Sequence, residues 1–198
     1  MSGSIITRSV EALGIALRAG EIVAYPTEGV FGLGCDPHAE FAVRRIHALK
    51  GRTPAQGLIM IGSCLAQIQR YIDLERVPSH AMERALASWP GPYTWIFPAS
   101  KLVPIWVSGT HVSVALRVTA HSDAAAVCNA FGGPIVSTSA NLHGFPAARS
   151  VGEVRECFPF GIGVLLDRRV GNAVGPSSIR NAVTGEVVRP SAKAPQPT

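Results

Sequence analysis

A chain of 198 residues with 47% hydrophobic and 16% charged side chains can bury the core of one domain and is too apolar to stay disordered. No apolar run approaches the roughly 20 residues that cross a bilayer. The start, Met1 to Gly14, lacks the basic stretch and apolar block of a secretory leader, so no membrane association and a cytoplasmic location are expected. The net charge of +5 favours anionic partners such as nucleotides or RNA, although no run of five or six basic residues marks a nucleic-acid-binding arm.

In chain order, Ser9 is placed to cap a helix over Val10 to Ala19, with Glu11 in its first turn and Gly20 just past its end. The stretch EIVAYP, ending at Pro26, reads as a short buried strand, and the glycine-rich YPTEGVFGLGCD that overlaps it reads as a connection. Phe41, Ala42, Ile46 and Leu49 recur at helical spacing. GLIMI is a second strand, SHAMERALASW a helix, and YTWIF a strand entered through the WPGP turn. VSVALRV alternates as a strand does, and SDAAAVCNAF has the form of a capped helix ending at Gly132 and Gly133. Pro134 to Val136 closes another strand, and Ser150 with Glu153 forms a capping box. GVLLD, SSIR and EVVRP are further short strands, the last two joined across Thr184 and Gly185. The total, about six or seven strands alternating with four or five helices, predicts a single α/β domain over 1–190 built on a twisted, mixed, open sheet. The small, Pro-rich tail 191–198 is expected to be flexible.

Four cysteines, Cys35, Cys64, Cys128 and Cys157, lie far apart with no Cys-x-x-Cys pair, which argues against a zinc site and against a disulfide framework. The six histidines show no metal-ligand spacing, so no protein-held metal is expected. Nor does any nucleophile elbow, zinc-peptidase helix or kinase signature occur.

Other stretches gather chemistry at strand ends, where open α/β sheets hold ligands. Thr27 and Glu28 leave a strand as a polar pair, able either to orient a substrate or simply to cap a loop. Lys50 and Arg52 flank one glycine at a helix end, which suits the helix dipole and equally suits a phosphate clamp. Arg117 sits inside an apolar strand, where an unpaired charge is expensive, so it needs a carboxylate or phosphate partner. Ser137, Thr138, Ser139 and Asn141 crowd the exit of a buried strand, a pattern that fits turns and caps or the hydrogen bonding of a polar ligand. Ser177, Ser178, Arg180 and Arg189 complete the set.

Six of these segments, AYPTEGVFGLGCDP, LKGR with QGLIMI, WPGPYTWIFPA, VALRVTAH, GPIVSTSANLHGFPA and PSSIRNAVTGEVVRP, occur in an order that resembles the YrdC-like family and especially its short bacterial members. The resemblance spans about Ala24 to Pro190. It implies a nucleotidyltransferase that condenses L-threonine, bicarbonate and ATP into threonylcarbamoyl-adenylate with release of pyrophosphate. A separate transferase complex would then modify the adenosine beside the anticodon of tRNA, with direct RNA or tRNA contact an open question. By the same resemblance, Lys50, Arg52, Ser139, Asn141 and Arg189 are the ATP-binding candidates, the first two catalytic. Thr27, Arg117, Ser137 and Ser178 are the threonine-binding candidates. Magnesium is expected through the phosphates. The chain departs from longer members at Gly29, where they carry a threonine, and at Ile61, where they carry a histidine. The alternative from another class is an RNA-binding or ribosome-assembly factor using the same basic cavity. A third reading, carbamoyl transfer as in hydrogenase maturation, lacks its companion segments.

Overall fold

The computed structural model describes residues 3–142 and 144–191. Ser9 starts the first helix, α1 (Val10–Arg18), by accepting a hydrogen bond from the Ala12 amide at 3.2 Å, and Ala19 closes it. Ahead of it lies a three-residue edge strand, β1 (Ile5–Thr7), that carries no sequence signal because two of its three side chains are exposed. The next pair, β2 (Val23–Pro26) and β3 (Phe31–Gly34), is an antiparallel hairpin turning through Thr27 to Val30, so the supposed glycine-rich connection contains a strand. Helix α2 (Glu40–Leu49), strand β4 (Ile59–Gly62) and the short helix α3 (Leu65–Ile68) follow.

Then come α4 (Ser79–Leu86), β5 (Tyr93–Pro98), the one-turn α5 (Ile105–Ser108) and β6 (Ser113–Val118). Helix α6 (Ser122–Phe131) is capped not by Ser122 but by His121, whose Nδ1 accepts from the Ala124 amide. It ends at Gly132 in the left-handed conformation, φ +96°. Strand β7 (Ile135–Ser139) does not stop at Val136 but carries the hydroxyl cluster within the sheet. The last elements are α7 (Val151–Cys157), capped by Ser150 Oγ on the Glu153 amide, β8 (Val164–Leu166), β9 (Ser178–Asn181) and β10 (Val187–Arg189).

All ten strands join one sheet in the order β1-β8-β2-β3-β7-β4-β6-β5-β9-β10, more than the six or seven expected, because strands of three or four residues give weak periodicity. The pairs β1–β8, β2–β8, β4–β6 and β5–β9 are parallel and the rest antiparallel. The tail expected to be flexible falls, beyond Ser191, outside the described residues.

Alternation along each strand sends side chains to two separate cores. Val23, Tyr25, Ile61, Ile135, Val164 and Leu166 meet Leu13 and Leu17 of α1 and Val127 and Cys128 of α6. Ala24, Leu33, Met60, Val136 and Leu165 point the other way, toward Val43 and Ile46 of α2 and Ala81 and Ala85 of α4. Each fully buried Leu, Ile or Val contributes roughly 1.5–3 kcal/mol. Helices α1 and α6 approach backbone to backbone at Gly14, where an added Cβ would lie 2.6 Å from the Ala130 carbonyl oxygen. That pair leaves part of its face of the sheet open as a cavity.

Candidate active site

On the uncovered area, strand register places polar side chains side by side. Ile59 of β4 pairs with Ser137 of β7, and Ile61 pairs with Arg117 of β6. Gly32 of β3 pairs with Ser139, so these positions share one face and form the floor of a cavity. Thr27, Arg52, Arg117, Ser137, Ser139 and Arg189 all line it. Ser177 lines it as well, although the family resemblance assigns threonine to its neighbour Ser178.

Three guanidinium groups therefore converge. Arg52 donates to Thr138 Oγ1 at 3.3 Å, and Arg189 donates to the Ser177 carbonyl at 2.7 Å. Burial, and then the neighbouring Arg52 and Arg117 charges, holds the Arg189 pKa below its ordinary value, the behaviour of a cation among cations. Burial alone lowers Arg52. The carboxylate that answers them is Glu28, 3.5 Å from Arg117. Burial raises the Glu28 pKa, but Arg117 and the hydrogen bonds from Thr119 Oγ1 (2.8 Å) and the Ala120 amide (3.0 Å) outweigh it, so the net shift is downward. Arg117 thus has a protein partner and still borders the cavity, with its Nε atom buried and unpaired among the described residues.

Lys50 follows α2 directly and is only 1% exposed. Gly51, at φ +61°, turns the chain there, so Lys50 and Arg52 project differently. The Lys50 ammonium donates to the backbone carbonyls of Ser139 and Asn141 and to Asn141 Oδ1, tying down the end of β7 and the loop that follows it. Burial first, and the Arg52 charge second, push its pKa down to about 7. Within that loop Ser139 Oγ donates to Asn141 Oδ1 at 2.6 Å, while Asn141 Nδ2 donates to the Leu142 and Phe145 carbonyls.

Thr27 donates its hydroxyl to the Val30 carbonyl at 2.6 Å, which caps the β2–β3 turn. Ser178 is 4% exposed, and its Oγ has no partner among the described residues. Its neighbours on either side, Ser177 and Ile179, line the cavity whereas it does not, as alternation along a strand requires. Ser177 Oγ is hydrogen-bonded to Thr94 Oγ1 at 2.9 Å. Among the described residues no three His, Cys, Asp or Glu side chains gather in a way that would hold a metal ion.

A cationic, hydroxyl-lined hollow on one face of an open α/β sheet has the chemistry to suit a polyanion such as a nucleotide. The family model Sua5_yciO_yrdC, described as "Telomere recombination", matches residues 15–191, and the chain belongs to that family. The chain is 51% identical over 173 residues to the threonylcarbamoyl-AMP synthase of Halorhodospira halophila, covering 87% of this chain and 90% of that protein. With the synthase of Sodalis glossinidius it shares 45% over 183 residues, 92% of this chain and 96% of that one. Among solved structures, P. abyssi Sua5 complexed with L-threonine superposes with a TM-score of 0.81 at 31% identity, covering 90% of this chain and 53% of that longer one.

Proposed function

We infer that this chain is a threonylcarbamoyl-AMP synthase, an enzyme that makes an AMP-linked intermediate from L-threonine, bicarbonate and ATP for the threonylcarbamoyladenosine modification of tRNA. The observation that carries the reading is the meeting of Arg52, Arg117 and Arg189 in one cavity beside a row of hydroxyls. So much buried positive charge, opposed by one carboxylate, favours a ligand with several negative charges. The family and its named relatives supply the reaction.

In that reaction the threonine amine forms a bond to the carbon of carbon dioxide with loss of a proton, or to that of bicarbonate with loss of water, giving a carbamate. A carbamate oxygen then attacks the α-phosphorus of ATP in line, and the bond from phosphorus to the bridging oxygen of pyrophosphate breaks. Positioning and charge stabilisation supply most of the catalysis in such transfers. Arg52 and Arg189 are proposed to hold the triphosphate, with Arg52 stabilising charge on the departing pyrophosphate. Ser139, which lines the cavity, would offer its oxygen to a ribose hydroxyl, and Asn141, whose amide is engaged within its own loop, would hold the nucleotide-facing shape of the segment that Lys50 fixes. Arg117 would take the threonine carboxylate with Ser137 next to it. Thr27 shapes that wall through its turn, and Ser178 would act through the packing of β9 rather than by reaching the ligand. Magnesium would enter on the phosphates of ATP, since the described residues offer no carboxylate cage for it.

Transfer of the product to a tRNA-modifying complex, any contact with RNA, and a cytoplasmic setting belong to the same proposal. No helix among the described residues is long and apolar enough to cross a membrane. The test is to incubate the purified protein with ATP, magnesium, bicarbonate and labelled L-threonine. Pyrophosphate and a labelled adenylate are expected together, and untouched ATP would overturn the reading.

A further inference from the structure

Leu166 ends β8 and Ser178 begins β9, strands that stand second and ninth in the sheet order. Measured along the sheet at roughly 4.8 Å per strand, that crossing is about 34 Å, and the residues between can extend to about 40 Å. The segment 167–177 is therefore a strap with little slack. Midway it lies on the β2–β3 turn, where the Gly171 amide donates to the Thr27 carbonyl at 2.9 Å and the Ala173 amide to the Glu28 carbonyl at 2.8 Å. Two glycines permit that approach. A Cβ on Gly171 would lie 2.6 Å from the Glu28 carbonyl oxygen, and one on Gly29 would lie 2.8 Å from that of Ala173. Both joined segments reach the cavity, the turn through Thr27 and Val30 and the strap through Pro176 and Ser177.

Arg149 spans the joint. One nitrogen of its guanidinium, Nη1, donates to the Gly29 carbonyl at 2.6 Å and to the Ala173 carbonyl at 3.2 Å, the first on the turn and the second on the strap. Among the described residues no carboxylate forms an ion pair with this guanidinium. Its backbone is fixed on both sides, by its own amide on Glu153 Oε2 at 2.7 Å and by the Phe31 amide on the Ala148 carbonyl at 2.7 Å.

We propose that Arg149, which does not itself line the cavity, is a positioning residue: it latches the strap onto the β2–β3 turn and so holds the walls that carry Thr27 and Ser177 at the spacing the amino-acid substrate needs. Without the latch the strap lifts part of the time, and the apparent affinity falls by the fraction of molecules still docked. The far end of the strap keeps its own anchor, since Arg189 donates to the Ser177 carbonyl. The proposal rests on the assignment of threonine to the half of the cavity beside Thr27 and Arg117.

The test is Arg149→Met in the full chain, with initial rates of pyrophosphate release and amide hydrogen exchange read at Gly171 and Ala173. The KM for threonine should rise about 10-fold, about 1.4 kcal/mol, while kcat and the KM for ATP stay within roughly 2-fold of the parent. The two strap amides should exchange faster in the variant, and those of β4 and β6 should keep the parental rate. In the parent, saturating threonine and ATP should slow exchange at the same two amides, because a ligand that needs the docked strap must favour docking in return. A contact that serves stability alone would give no such protection. Unchanged threonine KM, an equal rise for ATP, unchanged exchange in the variant, or no protection by ligand in the parent would overturn the proposal. If the parent protein neither binds threonine nor releases pyrophosphate, it is the assignment of the site that fails.

Discussion

Lys50 Nζ donates to the backbone carbonyl of Asn141 at 2.7 Å and to the Asn141 side-chain oxygen at 3.2 Å, so two residues 91 positions apart form one unit. The ammonium also reaches the Ser139 carbonyl, and these three acceptors use all three of its hydrogens. Lys50 therefore acts first on the shape of the loop carrying Ser139 and Asn141. Lys50→Met keeps the stem and removes the grip, and adenylate formation should fall at least ~10-fold, a loss of about 1.4 kcal/mol. A steady-state assay checks this, and parental activity would exclude Lys50 from the machinery.

The depressed Lys50 pKa has a sign that can be measured. Its ordinary value is 10.5 and its value here is about 7, so between those limits the folded protein holds fewer protons than the unfolded chain and this group's contribution to stability grows as pH rises. A bound triphosphate would offset the Arg52 charge and draw a proton back onto the amine. Calorimetry of ATP binding at pH 8 in buffers of different ionisation heat should report proton uptake of up to about one per site. Lys50→Met should show none of it.

Glu28 gives the opposite slope. Its carboxyl is held below 4.5, so its contribution is complete above that value and is lost as pH falls through the depressed one. Glu28→Gln keeps the shape but leaves Arg117 without its counter-charge, which should cost roughly 1.5–3 kcal/mol at pH 7. Urea unfolding across the acid range should show the gap between parent and variant closing at low pH. A constant gap would mean that the charge of Glu28 is not what matters.

Gly14→Ala separates helix propensity from packing. Alanine gains about 1 kcal/mol inside an isolated helix. At this position its Cβ would meet the Ala130 carbonyl oxygen at 2.6 Å, and overpacking of this kind costs roughly 1–3 kcal/mol. The thermal midpoint should therefore fall, and a rise would show that α1 and α6 can part freely.

Much of this molecule was legible before its structure. The cap at Ser9, the α2 spacing, the alternation in β6 and the Thr184–Gly185 turn all rest on local rules, and each element stands within a residue or two of its expected place. Phe41 shows the limit of periodicity, since it has the spacing of a core residue yet is 73% exposed, under the Arg45 guanidinium. The strand β3 was hidden because Gly32 and Gly34 carry no pattern, their reason being the Tyr25 ring that lies against them. Arg117 could be read as needing a partner, but its pairing with Glu28 depends on how β2 and β6 are placed within one sheet. Ser177 and Ser178 could not be ranked without a strand register to say which of them faces inward.

The claim on which the rest depends is that separated cations converge to hold a triphosphate. Equilibrium titration of the parent, Arg52→Ala and Arg189→Ala with ATP tests it most directly. Each charge removed should weaken ATP at least ~10-fold, about 1.4 kcal/mol, with a shallower dependence on salt than the parent shows. Parental affinity and salt dependence in both variants would contradict the account.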